Sequence, residues 1–193
     1  MNTWNFSGTL KNSGVKGTKY QKFWVMLELP DSSTVFINSD VDSDPNSYSG
    51  KAFSRLQSTI EKGDNIFIKD ATLTNIKMGK KDDEGNWTTE EKLGIKVAMS
   101  RIHKMRSTDT PINCGLLEGI VTAHSESKLI IENRYRLPST NEWKSRSIPV
   151  KIDESIEYYS KGTSLEGQKV FIRGEVNSTP DKIFVIAKQM ILT

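Results

Sequence analysis

The chain has 193 residues, 35% of them hydrophobic and 26% charged, with a formal net charge of +3. That is the composition of one large or two small globular domains. No apolar run approaches the roughly 18 residues of a membrane span, and the opening "MNTWNFSGTL" lacks the basic start and apolar block of a signal peptide, so a cytoplasmic location is expected.

In chain order, apolar residues alternate with period two, the mark of half-buried strands. "WNFSGTL" reads as a short strand around Gly8. "KFWVMLEL" (22–29) and "TVFINSDV" (34–41) read as the arms of a hairpin across the turn "PDSS". Phe53, Leu56 and Ile60 have helical spacing, with Gly63 as the expected C-cap. "NIFIKDATL" is a fourth strand, followed by a long polar loop over 75–92, and "LGIKVAMSRIH" is a fifth.

The same order then recurs. "CGLLEGIVTA" is a strand around Gly119, and "KLIIENRYRL" and "RSIPVKI" form a hairpin. "SIEYYSKGTSLEG" is a short helix or turn, with Tyr158 and Tyr159 as packing residues, and "KVFIRGEV" and "KIFVIAKQMIL" complete the set. Gly8 aligns with Gly119, Gly63 with Gly167 and Ile95 with Ile183. The polar, Pro-containing stretch 105–113 holds the boundary. We therefore expect an all-β chain with short helices: two tandem five-stranded OB-fold barrels, 1–106 and 113–193, joined by a linker at 107–112. Gly in each first strand suits the bend that such a barrel needs. The alternative is an unrelated all-β chain with coincidental spacing.

Catalytic and metal signatures are missing. Cys114 is the only cysteine, which excludes an intramolecular disulfide, and its apolar surroundings fit a small buried residue. The two histidines, His103 and His124, fall in no metalloprotease, hydrolase or phosphate-loop pattern. No cofactor, metal or enzymatic activity is expected.

OB barrels bind on the face of strands two and three, framed by the loops after strands one and four. Phe23, Val25, Leu27 and Leu29 share one parity and should face the core, as should Val35 and Ile37. Trp24 and Met26, with Phe36 and Asn38, then point outward. Two aromatic rings on adjacent strands suit unpaired bases, each stacked base being worth about 1–3 kcal/mol. The competing reading is that Trp24 or Phe36 is covered by a loop or by the other half. The loop "KNSGVKGTKYQK" contributes Lys16, Lys19, Lys22 and Tyr20, beside Lys11, and carries no acid. The 75–92 loop adds Lys77, Lys80, Lys81 and Trp87, among acidic clusters that fit a solvated hairpin arm equally well. In the second half the outer face carries Ile130, Glu132, Arg134 and Arg136, with Tyr135, Trp143, Lys144 and Arg146 nearby, and Lys151 and Arg173 extending the basic track.

"GLLEGIVTA", "KLIIENRYRL", "LEGQKVFIRGEV" and "IFVIAKQMIL" together resemble single-stranded DNA-binding proteins of the bacterial and phage type. Residues 129–134 match that family's "LAVNR" strand loosely. Residues 166–176 match its "KG..V.V.G.L" segment well, and 62–73 match it less closely. The resemblance covers most of the second half and the later part of the first. It implies an OB-fold and a non-catalytic coat for single-stranded DNA in replication or recombination. The family usually has one barrel per chain, a tetrameric assembly and an acidic-tipped disordered tail. This chain carries the pattern twice and ends "KQMILT" in a predicted strand, so recruitment of partners through such a tail is not expected, and a phage or mobile-element origin would fit. The open alternatives are a protein-interaction module of a replication complex, whose partners would be replication or recombination proteins, and RNA binding. Exposed barrel edges leave room for a homo-oligomer.

Overall fold

A computed structural model of the chain describes residues 1–17, 21–42, 44–106, 111–137, 140–156, 164–179 and 182–193, without the side chains of 78 and 80. The strands are β1 (Asn2–Lys16), β2 (Lys22–Glu28), β3 (Thr34–Asp40), β4 (Asn65–Lys81), β5 (Trp87–Lys96) and β6 (Ile102–Lys104), then β7 (Asn113–Ser125), β8 (Lys128–Arg136), β9 (Trp143–Ile152), β10 (Lys169–Ser178) and β11 (Ile183–Leu192). One helix, α1 (Tyr48–Thr59), lies between β3 and β4.

Pairing closes on itself twice. In the first half β1 pairs with β2, β2 with β3, β3 with β5 in parallel, β5 with β4, and β4 back onto β1. In the second half β7, β8, β9, β11 and β10 repeat that circuit, again with one parallel pair, β9 with β11. Alternate residues of each strand fill the interior: Phe23, Val25, Leu27, Val35 and Ile37 in the first half, and Leu129, Ile131, Ile148 and Val150 in the second, are all buried.

The repeat extends to single atoms. A Cβ on Gly8 would stand 2.5 Å from the Glu28 carbonyl oxygen, and one on Gly119 would stand 2.4 Å from that of Glu132. Gly63 and Gly167 both take positive φ, and their N–H groups donate to the carbonyls of Leu10 and Val121, each at 2.8 Å. The Asn2 side chain clamps the backbone of Leu73, and Asn113 clamps Val176 in the same way.

The halves join through β1 and β7, which pair antiparallel with Trp4 opposite Gly115. Trp4 is fully buried, and a Cβ on Gly115 would lie 2.2 Å from its Cε3. The halves touch again through side chains away from this seam. Asn177 donates to Asp31, Ser178 donates to the Thr34 carbonyl, and Arg146 donates to the Leu73 carbonyl.

Several expectations change. The "loop" after the first strand is the outer part of β1, paired with β2 as far as Lys16 opposite Lys22. Of the two readings of 75–92, the hairpin arm is the one that forms, from β4 and β5, with Lys81 opposite Trp87. The fifth strand is broken: a 3-10 turn at Met99–Arg101 separates β5 from β6. Through pairing with Leu73 and Val176, Ile95 corresponds to Val185, two residues beyond the expected Ile183. The helix starts at Tyr48, capped by the Ser47 hydroxyl accepting from the Gly50 N–H, and ends at an extended Ile60. Gly63 is therefore no C-cap; it turns the chain into β4. Residues 157–163, which hold most of the second expected helix or turn with Tyr158 and Tyr159, lie outside the described residues.

Candidate nucleic-acid interface

The parity of β2 and β3 decides what faces outward. With Phe23, Val25, Leu27, Val35 and Ile37 buried, Trp24 is half-buried on the outer face and Phe36 is 48% exposed. Their ring centroids are 5.8 Å apart with the planes inclined at 37°. Trp24 sits opposite Gly14 of β1 and Asn38 of β3, and Met26 sits opposite Phe36. A Cβ on Gly14 would meet the indole Cζ2 at 2.9 Å, so the absent side chain is what lets the ring lie across β1. The result is one apolar platform spanning three strands, with open ring surface.

Lys16 and Lys22 face each other across β1 and β2 at its edge, both exposed, and neither has an ion-pair partner among the described residues. Two acids share this outer face, and each is already held by a lysine: Lys11 to Glu28 at 2.6 Å, and Lys96 to Asp40 at 2.5 Å. Lys19 and Tyr20 lie outside the described residues.

The arm of β4 and β5 carries Trp87, 74% exposed and packed over Gly79, with the Lys81 Nζ 5.5 Å from its ring centroid. Lys77 is exposed opposite Glu91. The tip is an acidic turn, where the Asp82 carboxylate accepts from the N–H groups of Glu84 and Asn86. The Lys80 side chain lies outside the description.

The second half is arranged differently. Arg134 is exposed but paired with Glu132 at 2.9 Å, and the Arg136 Nε donates to the Asn141 carbonyl at 3.0 Å. Trp143, 69% exposed, lies opposite Arg136 near the hairpin end, and Lys144 lies opposite Tyr135. Arg146 does not join this exposed track. It shares the inward parity of Ile148, is buried, and stacks beneath Tyr135 with its guanidinium carbon 3.8 Å from the ring centroid. Burial pushes its pKa below the ordinary arginine value. Arg146 is a strut between the halves, and Tyr135 has one ring face occupied by it.

Sequence reasoning missed Gly14 as the floor of the platform and Lys96 at its rim. Reading "KNSGVK" as strand would have placed Gly14 across from Trp24. Among the described residues no three or more His, Cys, Asp or Glu come together as a metal site, and no helix is long and apolar enough to cross a membrane.

No protein-family model and no curated protein matches the sequence. Solved structures do. The wild-type single-stranded DNA-binding protein from Thermus aquaticus superposes with a TM-score of 0.64 at 13% identity, over 100% of this chain and 93% of that one. A deletion mutant of the same protein gives a TM-score of 0.63 at 12% identity, over 100% of this chain and 94% of that one. The chain shares the fold of a single-stranded DNA-binding protein. That fold is the OB-fold, and its similarity extends over the full length of this chain.

Proposed function

We propose that the chain is a non-catalytic protein that coats single-stranded DNA during replication or recombination. It would do so as two tandem OB barrels, 1–106 and 113–193, joined at 107–112. The twin pairing circuits and the matched Asn2 and Asn113 clamps support that division. The observation that carries the function is the Trp24–Phe36 platform on the outer face of β2 and β3, the face that OB barrels use, edged by Lys16 and Lys22. The platform stacks unpaired bases without regard to sequence, and the lysines take the phosphates. Trp87 with Lys81, and Trp143 with Lys144, are further contacts on the two hairpin arms; Lys77, Arg134 and Arg136 add charge. The relatives with this fold bear the name single-stranded DNA-binding protein.

The test is a titration of labelled single-stranded DNA, duplex DNA and single-stranded RNA of matched sequence at two salt concentrations. Tighter binding to the single DNA strand than to the duplex, weakening as salt rises, is expected. Equal binding to the duplex contradicts stacking, and preference for RNA changes the substrate.

A further inference from the structure

The pairing registers equate positions in the two halves. Leu10, Leu27 and Val35 face one another across β1, β2 and β3, and Val121, Ile131 and Ile148 do so across β7, β8 and β9. Each set is buried, and each is followed by a bulge at the same place in its first strand, between Leu10 and Asn12 and between Val121 and Ala123. Counting outward, Trp24 corresponds to Lys128, Phe36 to Pro149 and Asn38 to Lys151. The second half therefore repeats the platform's backbone but replaces its rings. Where Trp24 faces Asn38, Lys128 directly faces Lys151.

Two like charges at opposed positions of a strand pair repel. Both lysines are exposed, and no described carboxylate forms an ion pair with either. Of the nearby acids, Glu132, the counterpart of Glu28, holds Arg134, and Asp153, the counterpart of Asp40, holds Lys188 at 2.7 Å, while Glu126, exposed in the turn before β8, forms no ion pair with either lysine. Two opposed cations with no ion-pair partner among the described residues, on an outer face matching a base-stacking face, suit a ligand that brings negative charge and needs no ring to stack on.

We propose that Lys128 and Lys151 form a clamp for the sugar-phosphate backbone of single-stranded DNA. The β2–β3 face of the first half stacks bases between its flanking lysines, and the equivalent β8–β9 face of the second half holds the phosphate chain by charge alone. This rests on the single-stranded DNA reading given above.

The test uses the full chain with Lys128→Gln/Lys151→Gln and, in parallel, Lys128→Arg/Lys151→Arg. Against single-stranded DNA, the Gln pair should flatten the plot of log affinity against log salt by about 1.4, at roughly 0.7 per phosphate contact. The Arg pair should keep the original slope, which separates a charge role from a folding defect. Quenching of tryptophan emission at saturation should stay unchanged in both. An abasic oligodeoxynucleotide supplies the second readout: its residual binding should fall in the Gln pair and persist in Trp24→Ala. An unchanged slope or unchanged abasic binding in the Gln pair overturns the clamp while leaving the base platform standing. Failure of the unaltered chain to bind any single-stranded DNA overturns the function and the clamp together.

Discussion

The indole of Trp24 and the phenyl ring of Phe36 stand 5.8 Å apart, tilted by 37°, on the solvent side of two paired strands whose other sides fill the core. Neither ring is needed to close the interior, so removing either should affect binding far more than folding. Trp24→Ala should weaken binding to single-stranded DNA by about 1–3 kcal/mol, and Phe36→Ala by an amount in the same range. Anisotropy titrations read the loss, and thermal melts should show little change.

Gly14 positions the indole without touching a ligand. A methyl group there would lie 2.9 Å from Cζ2, and the ring is the part that can move. Gly14→Ala should lift the indole off β1, shift its emission and weaken binding severalfold at nearly constant melting temperature. Unaltered emission would show that the ring does not rest on this glycine.

Arg146 holds the two halves together. Its guanidinium donates to the Leu73 carbonyl and lies under Tyr135. Arg146→Ala should cost about 1–3 kcal/mol of stability, through a lost charged hydrogen bond and a lost ring contact. Affinity for single-stranded DNA, measured below the melting range, should change far less than in Trp24→Ala.

Gly115 gives way to Trp4 where β1 crosses β7. A Cβ there would sit 2.2 Å from the indole and 2.6 Å from the Thr3 carbonyl oxygen. Gly115→Ala should lower stability by about 1–3 kcal/mol through overpacking. Trp4→Phe in the same chain should recover part of the loss, because the two positions are in contact.

Glu118 of β7 contributes a pH dependence. Lys169 at 2.7 Å and the Met1 ammonium group at 3.0 Å hold its pKa down from 4.5 to about 2. A carboxylate depressed in the folded state stabilises fully above its unfolded value; that support fades as pH falls from about 4.5 toward 2. Glu118→Gln should remove this part of the acid sensitivity in urea unfolding. The effect should stay below about 1 kcal/mol, because the side chain is 34% exposed and well screened.

Period-two burial made the interior legible: Phe23, Val25, Leu27, Val35 and Ile37 lie where parity puts them, and Trp24 and Phe36 stand opposite that set. The internal repeat was readable through Gly8 and Gly119, because both positions admit a partner carbonyl where a side chain would stand. The outer part of β1 was not readable as strand, and the arm over 75–92 was readable only as one of two alternatives. The described side chains of 11–16 and 75–92 bury almost nothing, so backbone pairing forms these segments and no apolar pattern announces them. Arg146 shows composition overriding parity: it shares the side of Ile148, yet its charge suggested solvent. Lys128 stayed hidden because its equivalence to Trp24 appears only once the pairing registers of both halves are known.

The most direct test leaves Trp24 as the one outward-facing indole. In a Trp87→Phe/Trp143→Phe chain, the other tryptophan is Trp4, which is fully buried. Emission is followed as oligothymidine is added, with anisotropy of the labelled oligomer confirming saturation. Stacking on the platform predicts strong quenching that tracks binding and is absent after Trp24→Phe. Saturated binding with unchanged emission would contradict it.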